Sequence, residues 1–130
     1  MSTLTDKPGI SIIKAGSLKM NDLSLTLNVP GLISHISEQA VTNDKNVLSM
    51  GHFTMRPGEG FEYTYNTVEC KVITKGKIVI RDKEGNKHTA EAGDVIVFSP
   101  DVTVYFDGES DGEAIYIGHR ELDQDFALPK

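Results

Sequence analysis

One cysteine, Cys70, is all that 130 residues contain. An internal disulfide is therefore impossible, and so is a cysteine-built metal site. Positive charge is short as well: 13 Lys and Arg stand against 19 Asp and Glu, for a formal net charge of −6. Nucleic acid is thus not an expected partner, because that affinity comes mostly from cations on phosphates. No apolar run approaches the roughly 18 residues of a membrane span, so no membrane partner is expected. The opening, MSTLTDKPGISIIKAGSL, lacks a basic stretch followed by an apolar run and does not read as a secretory leader. These absences predict a cytoplasmic protein in a reducing environment. Neither GxxxxGK nor GxGxxG occurs, which excludes the common phosphate loops, and there is no HExxH. Repeats, low-complexity tracts and linkers are missing too, and the length fits one domain.

What is present is short alternation of apolar and polar residues, broken by Gly, Pro, Asn and Asp. That pattern predicts strands. They are expected at 10–14, 23–29, 47–55, 62–65, 68–74, 77–82, 87–91, 94–98, 102–106 and 113–119. Residues 83–86, KEGN, form a hairpin-type loop in which Gly85 is free to take positive φ. Residues 33–41 read as a short helical turn or an irregular arm. About ten strands at near-regular spacing predict an all-β sandwich or closed barrel. One domain, 1–130, is expected, with N-terminal strands or an arm at 1–46, the barrel at 47–120 and a peripheral tail at 121–130.

Two stretches carry a resemblance to a family. The first runs Pro57-Gly58, Tyr63-x-Tyr65, three residues, Glu69, six residues, Gly76. The second is AGDVIVFSPDVTVYF, 92–106. From Gly51 to Arg120 the chain resembles a cupin, a single-domain double-stranded β-helix or jelly-roll barrel. PGEGFEYTYNTVECKVITKGK is most similar to the ethanolamine-utilisation protein Q type, which tends to lack the metal-binding histidines. Metal-binding cupins carry His-x-His where this chain has Tyr63 and Tyr65. Their second motif has a Gly after Pro and a His five residues beyond it. Here Val102 and Tyr105 stand at those places, and the step from Gly93 to Pro100 is one residue longer than usual.

The resemblance implies that Glu69 points into the barrel. Alternation along a strand then puts Lys71 and Ile73 on the same face, with Cys70, Val72 and Thr74 on the other. Tyr63 and Tyr65 share a face on the preceding strand, and Tyr105 is expected to add a third phenol. The family's usual metal set is three imidazoles and a carboxylate, and a neutral phenol is a poor substitute. A metal-free lumen with no cofactor is expected. Lys71 beside Glu69 would hold the carboxylate ionised or meet an anionic ligand, while the tyrosines would donate hydrogen bonds and stack on flat groups.

The candidate ligand-binding residues are Tyr63, Tyr65, Glu69, Lys71, Tyr105 and His52. Glu69, Lys71 and Tyr65 are the candidates for proton transfer. His52 shares a face with Met50 and Thr54 and is the best candidate for a relocated ligand or base. His119 is expected at the rim, His88 in solvent, and His35 in the arm. The bland alternative for the lumen is a polar core in which the buried charges merely satisfy each other.

Three functions compete: a metal-free cupin binding a small polar metabolite, a divergent metal-dependent cupin enzyme using Glu69, His52 and either Tyr105 or His119, and a non-catalytic assembly module. The sign of the third is a lumen filled by the protein's own side chains. A homodimer is expected because strand edges need covering, with 10–29 as the material for it.

Overall fold

The computed structural model describes residues 3–6, 9–42 and 47–119. The expected tail at 121–130 lies outside the described residues. In chain order the elements are β1 (Asn21–Asp22), α1 (Leu23–Thr26), β2 (Ile33–Ile36), β3 (Gln39–Ala40), β4 (Ser49–Arg56) and β5 (Phe61–Tyr65). There follow β6 (Glu69–Arg81), β7 (Lys87–Glu91), β8 (Val95–Phe98), β9 (Val102–Phe106) and β10 (Asp111–Gly118). The protein is an all-β jelly roll, and among the described residues no helix is long and apolar enough to cross a membrane.

The long strand β6 organises the barrel. Its first half pairs with β10 on one side and β8 on the other. Its second half pairs with β7 and, at Ile80 and Arg81, with β9. One layer therefore reads β1-β2-β4-β10-β6-β8 and the other β5-β9-β6-β7. The predicted strands at 68–74 and 77–82 are a single strand that belongs to both layers. Gly76 lies where it changes layer, with φ 66°, and Gly93 makes the matching corner between β7 and β8 with φ 96°. Asp94 fixes that corner, its carboxylate accepting the Glu91 N–H at 2.8 Å.

Alternation fills the interior. On β4 the buried positions are Ser49, Gly51, Phe53 and Met55, and the intervening residues are only partly buried. Phe61 and Tyr65 on β5, Glu69, Lys71 and Ile73 on β6, and Val104 and Phe106 on β9 face the same interior.

Three expectations in the N-terminal third are corrected. Residues 10–14 form no strand. Residues 23–29 do not form one either, although they alternate well. Asp22 caps a helical turn there, its carboxylate accepting from the Ser24 N–H at 2.9 Å and the Ser24 hydroxyl at 2.7 Å. Asn28 ends the turn with φ 55°, and the Val29 N–H reaches back to the Ser24 carbonyl at 3.0 Å. Leu23 and Leu27, four apart, thus turn to the core while Leu25 is exposed. Residues 33–41, read as a helical turn or arm, contain strands β2 and β3.

Candidate binding site in the barrel interior

β5 lies in one layer and the start of β6 in the other, so the three-residue connection 66–68 crosses the barrel end. It brings the Tyr65 hydroxyl onto Glu69, donating to Oε2 at 3.1 Å. Lys71, two residues along β6, places Nζ 3.2 Å from that same oxygen. Glu69 is 4% exposed and Lys71 3%. The ion pair is therefore genuinely interior, where its partners replace the water each charge has lost. Both contacts fall on Oε2.

Lys71 is held on its other sides by rings. Its Nζ is 4.2 Å from the Phe53 centroid, 5.1 Å from Tyr116 and 5.6 Å from Phe106. Ring faces carry negative potential, so the ammonium gains on these sides as well. This cage went unread in the sequence. Its signal was available only in part: alternation on β4 and β9 gives the faces, but not which rings meet.

The aromatic packing continues outward. Tyr65 stacks on Phe98 with centroids 4.2 Å apart and planes at 11°. Tyr63 meets Tyr65 edge-on at 4.7 Å. Phe61 stacks on Phe106 at 4.7 Å, and Phe53 lies 5.6 Å from Phe106. Phe98 also lines an open cleft of about 380 Å³ between β7 and β8, together with Ile80, Ile96 and Val104. Asp82 and His88 stand on that cleft, 3.1 Å apart. The hydrogen bond from His88 is the largest influence holding the Asp82 carboxyl below its ordinary range. Tyr63 lines a second hollow of about 370 Å³ with Leu27, Glu62, Thr64 and Asn66. The Phe98 and Tyr63 rings thus each contact Tyr65 and line one of these two hollows.

Of the residues expected to share a site, Tyr63, Tyr65, Glu69 and Lys71 come together. Two do not. Tyr105 is 38% exposed and lies opposite Glu62 and Arg81, while its neighbours Val104 and Phe106 turn inward. Val104 and Phe106 take the inward positions of β9, and alternation along the strand then turns Tyr105 outward. His52 lies on the outer face of β4, because Phe53 takes the inward direction. His119 is exposed and hydrogen-bonds the Val47 carbonyl at 3.1 Å.

The metal set common in cupins does not fit here. Among the described residues no three His, Cys, Asp or Glu side chains converge as a metal site. An ammonium already sits beside Glu69, and two charges of one sign so close would compete for a single carboxylate.

Comparison with known proteins agrees with this architecture. The family model of the EutQ-like cupin domain matches residues 42–110, more than half of the chain. No curated protein sequence is similar enough to match. Among solved structures, an ethanolamine utilization protein Q from Salmonella typhimurium superposes with a TM-score of 0.70 at 17% identity, covering 85% of each chain. The EutQ protein of Clostridium difficile gives 0.67 at 20% identity, covering 85% of this chain and 86% of its own. An RmlC-like cupin from Shewanella frigidimarina gives 0.63 at 14% identity, covering 92% and 97%. At such identities the likeness speaks for the fold.

Proposed function

The chain belongs to the EutQ-like cupin family, and on that premise we propose that it binds a small polar organic molecule at Glu69, without a transition metal. The observation that carries this reading is the divided carboxylate. Oε2 takes both the Tyr65 hydroxyl and the Lys71 ammonium, and a carboxylate offers further lone pairs on Oε1. A buried acceptor with lone pairs to spare favours a donating partner. A ligand hydroxyl or amine is the natural one, since a carboxylate accepts and does not donate. Lys71 and Tyr65 keep the carboxylate oriented while the ligand comes and goes. Should the bound molecule be transformed, Glu69, Lys71 and Tyr65 are the groups placed to move its protons.

A second reading draws on the same interior. Phe53, Phe61, Phe98, Phe106 and Tyr116 occupy much of the space between the layers, as an assembly module with a filled lumen would require. Titration calorimetry separates the two. Ethanolamine, suggested by the names of the relatives, and glycerol both carry donors for Oε1, whereas acetate carries none. The donor-bearing probes are expected to bind, acetate is not, and Glu69→Gln with Lys71→Met is expected to abolish binding. Silence from every donor probe would favour the assembly reading. A stoichiometric Fe, Mn, Ni or Zn in the purified protein, lost in the double variant, would refute the metal-free site.

A further inference from the structure

The two layers of the barrel part along one side. There β7 borders one layer and β8 the other, and the two strands diverge from the corner at Gly93. The cleft of about 380 Å³ between them opens into the space between the layers. His88 stands in it. It lies opposite Ile80 on β6, and cross-strand neighbours share a face. Ile80 is buried, so His88 is on the inner side of its sheet. Its side chain is nevertheless 66% exposed, because the barrel is open there. Asp82 fixes the ring. One carboxylate oxygen of Asp82 accepts the Glu84 and Asn86 N–H groups at 3.0 and 2.9 Å. The other accepts the Asn86 amide at 3.2 Å and meets His88 Nε2 at 3.1 Å. An ionised carboxylate only accepts, so Nε2 carries the proton and Nδ1 is the acceptor of the neutral ring.

We propose that this cleft is a second binding site, for a small phenol, whose ring lies against Phe98, Ile80, Ile96 and Val104 and whose hydroxyl donates to His88 Nδ1. Charge disfavours the other head groups. Among the described residues no Lys or Arg lines the cleft to receive an anion, and Asp82 beside His88 would repel one. A cation would find Asp82 already engaged four times, which accounts for roughly the four acceptor sites of a carboxylate. What remains is a neutral acceptor, and a neutral donor is its complement. Shape argues for a flat body. Two layers about 10 Å apart, each with side chains turned inward, leave a slot between them. A ring in that slot gains edge or offset contacts with Phe98 beyond its burial. The volume of about 380 Å³ lies at the lower end of the roughly 300–1,000 Å³ usual for small-molecule sites, the scale of one ring with short substituents. The inference is independent of whether Glu69 holds a ligand.

The test is calorimetric titration of p-cresol at about pH 8, beside its methyl ether, which keeps the ring and loses the donor. p-Cresol is expected to bind at a single site, and the ether about tenfold more weakly, the worth of one hydrogen bond. His88→Ala is expected to bring p-cresol down to the level of the ether. The variant carrying both Glu69→Gln and Lys71→Met is expected to bind p-cresol as the wild type does. No binding of p-cresol, equal binding of the two probes, or undiminished binding by His88→Ala would overturn the proposal. So would loss of binding in the double variant, which would put the probe at Glu69 instead. Nitrogen NMR of the wild-type histidines reads the contact without any variant. p-Cresol is expected to move the His88 Nδ1 resonance more than Nε2, and a larger movement at Nε2, or none at either, would count against the site.

Discussion

At the scale of single residues, the Glu69–Lys71 pair shows how burial changes the meaning of a charge. A surface pair contributes little, often below about 1 kcal/mol. A buried one is costly to split, because the remaining charge keeps its desolvation penalty without its partner. We predict that Glu69→Gln alone lowers the unfolding free energy by about 3–5 kcal/mol. Adding Lys71→Met should recover most of that loss, since replacing both charges by neutral groups is often neutral or better. Urea unfolding of the single and double variants checks this, and a double variant as weak as the single would show that the pair itself holds the fold. Recovery would mean that stability alone does not require the charges, which is what a binding role implies. Alternation made the shared face of Glu69 and Lys71 legible in the sequence, as it did that of Tyr63 and Tyr65. The positions of Tyr105 and His52 were not legible. Each depends on strand register, and one residue decides which side of the sheet a side chain takes.

At the scale of elements, the strand β6 explains why a glutamate and a glycine stand seven positions apart in the first motif. Glu69 opens the strand in one layer, and Gly76 lets it pass to the other. A side chain at Gly76 faces two obstacles: φ is 66°, and a Cβ would overlap the Asp111 carbonyl oxygen of the neighbouring strand. Gly93, at the opposite corner, has the first obstacle only, with φ 96° and open space around it. Gly76→Ala is therefore expected to cost several kcal/mol, and Gly93→Ala about 1–2 kcal/mol. Thermal unfolding of the two variants tests the ranking, and equal losses would refute the close approach to Asp111. The barrel strands were readable because alternation, turn residues and motif spacing agreed there. Residues 23–29 were misread because alternation spoke alone, and the Asp22 cap and the left-handed Asn28 outweighed it. Strand 10–14 failed for a related reason: an apolar alternation states a propensity, and a strand exists only where an edge is available to pair with it.

For the whole molecule, acid is the condition that exposes how loops and strands are tied together. Asp107 joins the β9–β10 connection to β6. Its carboxylate accepts the Glu109 N–H at 2.9 Å and the Arg81 Nε–H at 2.7 Å. The backbone hydrogen bond first, and Arg81 next, hold its carboxyl below the usual carboxylate range. Asp22 and Asp82 are lowered as well, each by local hydrogen bonds, but both are open to solvent and their share is small. The sign follows from linkage. A carboxyl whose folded pKa lies below its unfolded value near 3.9 stabilises the fold above that value. The contribution disappears as pH falls through the folded pKa. The melting temperature is therefore expected to hold roughly level above about pH 5 and to fall below about pH 4. Net charge adds to the fall in every variant alike, because protonated carboxyls leave 13 Lys and Arg unopposed. Asp107→Asn removes only the specific part. Its melting temperature should lie below wild type at pH 7 and converge on it in acid, where Asp107 is itself uncharged. Melting curves of both proteins across that range decide the matter: parallel profiles would show that Asp107 contributes by shape alone, and convergence that its charge secures the connection to β6.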